Sequence, residues 1–230
     1  EVQSTYKVAI LQEPRELLPW AYDIIVKLED EYDLILTYDI DLINRGKNYV
    51  FCPGDTAAIR TEGCKIHKKT KLISFPYSLK TQLFGHRLRH IIVKDILPPL
   101  NLNYNIDYFG AGVGNFVDDK LETLQDYMFQ IATENVKKEF YYTDKILDCL
   151  ITGTVPIYWG PNNISNFFNP KGILQFNHPE ELKVILNNLN KEKYYDLMPY
   201  IKENYEAAKY YMIQDDFFYE IIKKGLKDNG

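Results

Sequence analysis

The stretch from Tyr127 to Gly160 places a strand, a helix and a second strand in direct succession. The run YMFQIAT, which begins it, is aromatic and β-branched, as is typical of a buried strand. Thr143 is a good N-cap for the helix that DKILDCLIT predicts, and Gly153 is a good C-cap. Val155–Trp159 is the next apolar run. Strands alternate with helical patterns along most of the chain, and this predicts an α/β fold with parallel sheets.

The segment between the first strand and the helix has the chemistry of an anion site. Ligands of open α/β sheets bind beyond the carboxyl ends of strands, and a helix N-terminus attracts anions such as phosphates. Lys145 in the first helical turn would add a full positive charge, and Tyr141 and Tyr142 could flank a base or a ribose. An ordinary strand–helix–strand unit with a solvated lysine explains the same pattern equally well, since capping residues are common.

The same block resembles the donor-site signature of the α-1,3/α-1,4-fucosyltransferase family. That signature consists of glutamate-asparagine, a short loop, a tyrosine, a T-E-K run, and a hydrophobic-P-hydrophobic-aromatic-G strand end. These elements stand here in one register, as Glu134-Asn135, Tyr141, Thr143-Asp144-Lys145 and Val155-Pro156-Ile157-Tyr158-Trp159-Gly160. One position departs from the signature, because Asp144 replaces the glutamate that precedes the lysine.

The resemblance implies an inverting transfer of fucose from GDP-fucose to a glycan hydroxyl, without an obligatory metal or other cofactor. It implies that Tyr141, Glu134, Asn135 and Asp144 hold the nucleoside or the sugar. Lys145 and the helix N-terminus after Thr143 would stabilise the departing diphosphate. The implied partners are a nucleotide-sugar donor and a glycan acceptor.

A carboxylate follows the first predicted strand, Tyr6–Leu11, at Glu13-Pro14. A carboxylate at the carboxyl end of a strand is well placed to face a cleft, although a surface glutamate is the commoner fate. The segment resembles the E-S-P element of the fucosyltransferases, whose glutamate is the proposed general base. Because this element comes only a few residues into the chain, the resemblance implies a shortened N-terminal lobe.

A basic helix is predicted from Ser78 to Ile96, before Pro98-Pro99. It resembles the family segment in which an arginine grips the donor pyrophosphate. Arg89 is the first candidate for that arginine, and Arg87 is the second.

Other kinds of site are weakly indicated. Metal-dependent glycosyltransferases often carry a D-x-D motif, for which Asp39-Ile40-Asp41 and Asp215-Asp216 are the near matches, and the four histidines show no ligand spacing. We therefore predict no metal site. The net charge of −5 gives no general attraction for nucleic acid.

Together these observations predict two Rossmann-like lobes around a cleft, of the GT-B type. Residues 1–72 would form a reduced α/β lobe on the acceptor side. Residues 73–230 would form a complete donor-binding α/β lobe that ends in long helices. Two alternatives remain open: a non-catalytic carbohydrate- or nucleotide-binding domain of a larger protein, and a transferase that uses another nucleotide sugar.

The location of the protein is suggested only by what the sequence lacks. Three cysteines without C-x-x-C spacing favour reduced thiols. No apolar run has the length of a membrane span, and no signal peptide is visible. We therefore expect a cytoplasmic protein, or one that is peripheral at the inner membrane face.

Overall fold

The computed structural model describes residues 6–229, and these form two parallel sheets. The first sheet has the strand order β1-β2-β3. Helices α1 and α2 join its strands, so the predicted alternation of strands and helices is confirmed for this part of the chain. The bounds are β1 (Val8–Leu11), α1 (Pro19–Lys27), β2 (Leu34–Thr37), α2 (Ile40–Ile43) and β3 (Tyr49–Phe51).

The second sheet is larger and contains a reversal of strand order. Its strands are β4 (Lys71–Pro76), β5 (Asp107–Phe109), β6 (Tyr127–Thr133), β7 (Val155–Trp159) and β8 (Leu174–Gln175). They lie in the order β5-β4-β6-β7-β8, and every pairing is parallel. The chain passes from β4 to β5 on one side and then returns to β6 on the other side of β4. In open α/β sheets, this switch between β4 and β6 leaves a crevice at the carboxyl ends of the two strands.

Helix α4 (Asp144–Thr152) forms where the sequence predicts it, and both of its caps are as expected. The side chain of Thr143 accepts a hydrogen bond from the backbone N–H of Lys145. Gly153 ends the helix in the left-handed conformation, with φ of 73°, which a residue without Cβ adopts at no steric cost. The helix is buried along most of its length because it packs between the second sheet and the C-terminal helices.

The predicted helix over Ser78–Ile96 is wrong in its first six residues. Helix α3 (Phe84–Ile91) begins later and continues as one π-helical turn, Ile92–Ile96. The ring of His86 accepts a hydrogen bond from the backbone N–H of Leu83 at 3.3 Å, and so caps the helix at that point. The guanidinium of Arg87 donates to two backbone carbonyls just before the helix, which fixes the preceding segment outside it.

The long helices predicted at the C-terminal end are divided into several shorter ones. After α5 (Pro179–Asn187), the chain forms α6 (Lys191–Asp196), α7 (Met198–Ala208) and α8 (Gln214–Asn229). Pro199 stands in the first turn of α7, where its missing N–H is tolerated, and it cannot continue the helix before it. No helix within residues 6–229 is long and apolar enough to cross a membrane.

Helix α8 returns to the first sheet and packs against β2. A Cβ added at Gly225 would lie 2.9 Å from Val50 and 3.2 Å from Leu34, so the helix backbone approaches the sheet closely. A single apolar cluster contains Leu34 and Leu36 of β2, the buried face of α4, and Phe217 and Phe218 of α8. The core of the first sheet is therefore continuous with that of the second.

Candidate functional site

A cavity of 250 Å³ lies at the switch point, beyond the carboxyl ends of β4, β5 and β6. The first turn of α4 forms one wall. The hydroxyl oxygen of Ser78 lies at this edge, buried and without a hydrogen-bond partner in the described part of the chain. The lining residues are Pro76, Tyr77, Ser78, Arg89, Phe109, Gly110, Lys120, Gln130, Ile131, Ala132, Thr133, Asp144 and Lys145.

The N-terminus of α4 brings positive charge to this cavity. The partial charge of the helix end is joined by the ammonium of Lys145, whose Nζ lies 2.8 Å from the hydroxyl oxygen of Thr143. Three residues predicted for the donor site, Thr143, Asp144 and Lys145, thus stand together at one helix end, and the last two line the cavity.

Glu134 fixes this helix end from inside the protein. Its side chain is 0% exposed, and its carboxylate accepts hydrogen bonds from the backbone N–H and the hydroxyl of Thr143, at 3.0 and 2.8 Å. The hydroxyl of Tyr158 donates a third hydrogen bond at 3.0 Å, and Lys145 Nζ lies 3.6 Å away. Glu134 therefore contacts protein groups and does not face the cavity.

Arg89 reaches the cavity from α3. Its Nε donates to the hydroxyl of Thr133 at 2.7 Å, and its Nη2 donates to the carbonyl of the same residue. The position of α3 depends on Gly85, because a Cβ there would lie 1.7 Å from the carbonyl oxygen of Glu134. Arg87, the second candidate, is exposed and does not line the cavity.

Lys120 is a further cation of the cavity, which the sequence did not reveal. Its ammonium forms short ion pairs with Asp144 and with Asp148, one turn later on α4. Burial raises the pKa of Asp144, but the charges of Lys120 and Lys145 outweigh it and lower that pKa to about 2. Lys120 lies 24 residues before Asp144, so no local pattern could have marked this pair.

The two tyrosines are placed otherwise than expected. Tyr142 is fully buried and its hydroxyl pairs with that of Tyr211 at 2.8 Å, so the expectation that it flanks a ligand is wrong. Tyr141 is 1% exposed and packs against Tyr38 with ring centroids 5.2 Å apart. Asn135 is half-buried, and its backbone carbonyl accepts a hydrogen bond from the backbone N–H of Gly85 at 2.9 Å.

Glu13 follows β1 in the first lobe, with an exposed side chain. The neighbouring Gln12 donates a hydrogen bond to Asp55 at 2.6 Å. Burial raises the pKa of the Asp55 carboxyl, and the charges of Asp144 and Glu13 act in the same direction. The charges of Glu13 and of Asp144 thus both act on Asp55, and Glu13 does not line the cavity.

The D-x-D-like segment has a structural explanation. Asp39 is buried, caps α2, and forms ion pairs with Arg15 at 3.1 Å and with Lys138 at 3.2 Å. This carboxylate ties the loop before α4 to the first lobe. Residues 6–229 contain no group of three or more His, Cys, Asp or Glu side chains that could hold a metal ion.

The relatives of this chain are fucosyltransferases. It is 31% identical over 115 residues to the alpha-(1,3)-fucosyltransferase FucT of Helicobacter pylori, a match that covers 48% of this chain and 24% of that protein. It is 23% identical over 181 residues to the alpha-(1,4)-fucosyltransferase of Arabidopsis thaliana, covering 74% of this chain and 44% of that protein. The chain thus spans less than half the length of these curated relatives.

Solved structures share the fold. A crystal structure of an alpha1,3-fucosyltransferase with GDP superposes with a TM-score of 0.58 and 18% identity, over 98% of this chain and 76% of that one. The corresponding structure with GDP-fucose gives a TM-score of 0.57 and 17% identity, over 99% and 76%. These matches confirm the predicted class of two α/β lobes of the GT-B type.

The model of the family described as glycosyltransferase family 10 (fucosyltransferase) C-term matches residues 67–220, which is more than half of the chain and includes the whole cavity. The family that the donor-site signature indicated is therefore confirmed, and the chain belongs to glycosyltransferase family 10, the fucosyltransferases.

Proposed function

We propose that this protein transfers fucose from GDP-fucose to a glycan hydroxyl by an inverting displacement. Residues 73–230 would bind the donor, and residues 1–72 would supply the acceptor side. The observation that carries the proposal is the cation-lined cavity at the switch point, because its wall is the helix end that bears the family signature.

The diphosphate of the donor would lie against Arg89, Lys145 and the N-terminus of α4. The leaving diphosphate gains negative charge as its bond to the sugar breaks, so fixed cations and N–H groups stabilise the transition state. Arg89 is largely buried and its guanidinium is oriented by Thr133. Ser78 offers a hydroxyl without a protein partner, which suits a phosphate or ribose oxygen.

Glu13 would act as the general base that takes the proton of the acceptor hydroxyl. Its exposure at the carboxyl end of β1 leaves it accessible to a glycan that enters from solvent. Asp144 would contact the sugar of the donor from the cavity wall. Glu134 and Thr143 would position the helix end, and Asn135 and Tyr141 would shape the loop behind it.

We further propose that the charge of the diphosphate is neutralised by the cations of the chain, without an obligatory metal. A thermal-shift experiment with GDP, UDP, ADP and CDP tests this, because a ligand that binds only the native state stabilises it by RT ln(1 + [L]/Kd). GDP should give the largest shift, and EDTA should not reduce it. Equal shifts for the four nucleotides, or a shift that requires Mn²⁺ or Mg²⁺, would contradict the proposal.

Transfer itself is tested with GDP-fucose and a panel of glycans, with release of GDP as the readout. Acceptor-dependent release supports the enzyme. GDP binding without release for any acceptor would favour the non-catalytic binding domain, and a larger shift with UDP would favour another nucleotide sugar.

A further inference from the structure

Lys120 lies on a segment that is held rigidly against the second sheet. The turn Lys120–Thr123 is capped by Asp119, whose side chain accepts a hydrogen bond from the backbone N–H of Leu121 at 2.9 Å. The carbonyl of Thr123 accepts hydrogen bonds from the side chains of Ser74 at 2.7 Å and Gln130 at 2.9 Å. The backbone of Lys120 is therefore fixed relative to β4 and β6, two of the three strands whose carboxyl ends border the cavity.

The ammonium of Lys120 bridges two carboxylates on successive turns of α4. Asp148 is 0% exposed, and its Oδ1 accepts hydrogen bonds from the backbone N–H groups of Ala58 and Ile59 at 2.7 and 3.2 Å. Its Oδ2 contacts Lys120. Burial raises the pKa of Asp148 and the charge of Lys120 opposes this rise, so the ion pair favours Lys120 in this position. From this position it also pairs with Asp144 at the cavity wall.

We propose that Lys120 is a positioning residue for the sugar end of the donor, because it holds the carboxylate of Asp144 at the cavity wall as an ionised hydrogen-bond acceptor. This inference rests on the function proposed above. Lys120 is anchored through its backbone by the turn and through its ammonium by Asp148, and it fixes the carboxylate of Asp144 at the cavity wall. An ionised carboxylate accepts hydrogen bonds only, which suits a sugar hydroxyl.

Lys120 is less available to the diphosphate than Lys145, because its ammonium forms short ion pairs with two carboxylates, whereas Lys145 Nζ lies 3.6 Å from Glu134 and from Asp144. Arg89 and Lys145 remain for the phosphates. The inference therefore predicts a larger effect on GDP-fucose, which carries the sugar, than on GDP.

The ionisation of Asp144 gives a readout that a purely structural role would not move. Burial favours the neutral carboxyl, and removal of Lys120 leaves less opposing positive charge, so the pKa of Asp144 should rise from about 2. A neutral carboxyl at moderately acidic pH would then lose its role as acceptor. The charged groups that act on Asp144 or are acted on by it are Lys120, Lys145, Asp148, Arg89 and Asp55.

The test compares the parent with the double variant Lys120→Met/Asp148→Asn. This pair of changes leaves the net charge unaltered, removes the buried charge that Lys120→Met alone would leave unpaired, and keeps an oxygen for the N–H groups of Ala58 and Ile59. Lys120→Arg preserves the cation. Lys183→Met, which removes an exposed ion pair on α5, is the matched control. Calorimetric titration gives Kd for GDP and for GDP-fucose from pH 5 to 8.

We expect the double variant to bind GDP within about threefold of the parent and GDP-fucose about tenfold more weakly, as for the loss of one hydrogen bond to a charged group. The deficit for GDP-fucose should grow as the pH falls, while Lys120→Arg and Lys183→Met should resemble the parent. An unchanged ratio of the two affinities across this pH range overturns the inference, as does an equal loss for both ligands. If the parent itself fails to bind GDP, the proposed function is wrong instead.

Discussion

Lys69 should make the stability of this protein depend on pH in an unusual direction. This lysine is buried at the end of the second sheet away from the cavity. Its Nζ donates hydrogen bonds to the carbonyls of Leu124 and Thr152, at 3.0 and 2.9 Å, and to the hydroxyl of Thr154 at 2.8 Å. Burial lowers the pKa of Lys69 to about 7, so much of its proton is lost in the folded protein at neutral pH.

The sign and size of the effect follow from proton linkage. An unfolded lysine keeps its proton up to a pKa of about 10.4. Between pH 7 and 9 the unfolded chain therefore binds more protons at this residue than the folded chain, and the free energy of unfolding rises with pH. Over these two pH units, Lys69 alone should contribute about 2 kcal/mol of additional stability.

Other buried groups change the free energy of unfolding in the opposite direction as pH rises. The contribution of Lys69 must therefore be isolated with a variant. Burial raises the pKa of the Cys52 thiol to about 12 and that of Cys64 to about 11. Thiols of the unfolded chain ionise near 8.5, so these cysteines lower stability as pH rises through the same range. The variant Lys69→Met keeps the cysteines and a side chain of similar length but has no titrating group at this position.

The assay is urea unfolding of the parent and of Lys69→Met at pH 7 and pH 9, under reducing conditions. The loss of three hydrogen bonds changes the absolute stability of the variant, so the comparison is between the two pH differences. The parent should gain about 2 kcal/mol more than Lys69→Met on going to pH 9. The adjacent exposed Lys68 provides the control, Lys68→Met, which should follow the parent. Equal pH differences in the parent and in Lys69→Met would refute the reasoning.

Three further predictions concern the site. Lys145→Ala should weaken GDP binding by roughly 10–100-fold in calorimetry and slow transfer by more, because the diphosphate gains charge in the transition state; unchanged GDP affinity would place the diphosphate elsewhere. Glu13→Gln should keep GDP affinity while transfer falls by about 10²–10⁴ in a GDP-release assay, and transfer at the parental rate would exclude this residue as the base. Gly85→Ala should lower the unfolding free energy by about 1–3 kcal/mol and also weaken GDP binding, because the new Cβ meets the Glu134 carbonyl and displaces Arg89 on the same helix. A melting temperature and a Kd for GDP equal to those of the parent would show that α3 can move without cost.

The parts of the fold that were predicted correctly are those that local signals determine. Helix α4 has a threonine N-cap, a glycine C-cap and an apolar face within a dozen residues, and β6 and β7 are continuous apolar runs. The start of α3 was missed because it depends on a side chain, His86, that caps from inside the helix. The sequence marked Asp39 only as part of a near match to a D-x-D motif, whereas it caps the short helix α2 and pairs with Lys138 in the loop before α4.

Spacing alone indicated the part of the site whose residues are close in sequence, and the resemblance to the family added Arg89 as a candidate. Thr143, Asp144 and Lys145 are adjacent, and Arg89 lines the same cavity as Asp144 and Lys145. Sequence spacing could not show that Glu134 is turned inward. The burial of Glu134 and the choice of its hydrogen-bond partners both depend on the tertiary fold.

The packing of α8 on β2 has a consequence for the order in which the protein can be assembled. Ribosomes deliver the chain from its N-terminus at about 5–20 residues per second, and β2 emerges long before α8. Until α8 arrives, Leu34 and Val50 lack the helix that covers them, so the first lobe cannot complete its core when it is made. The lobe of the second sheet, whose strands and helices follow one another locally, should therefore form first and act as the template. The lobe that is translated first would then be the last to become native.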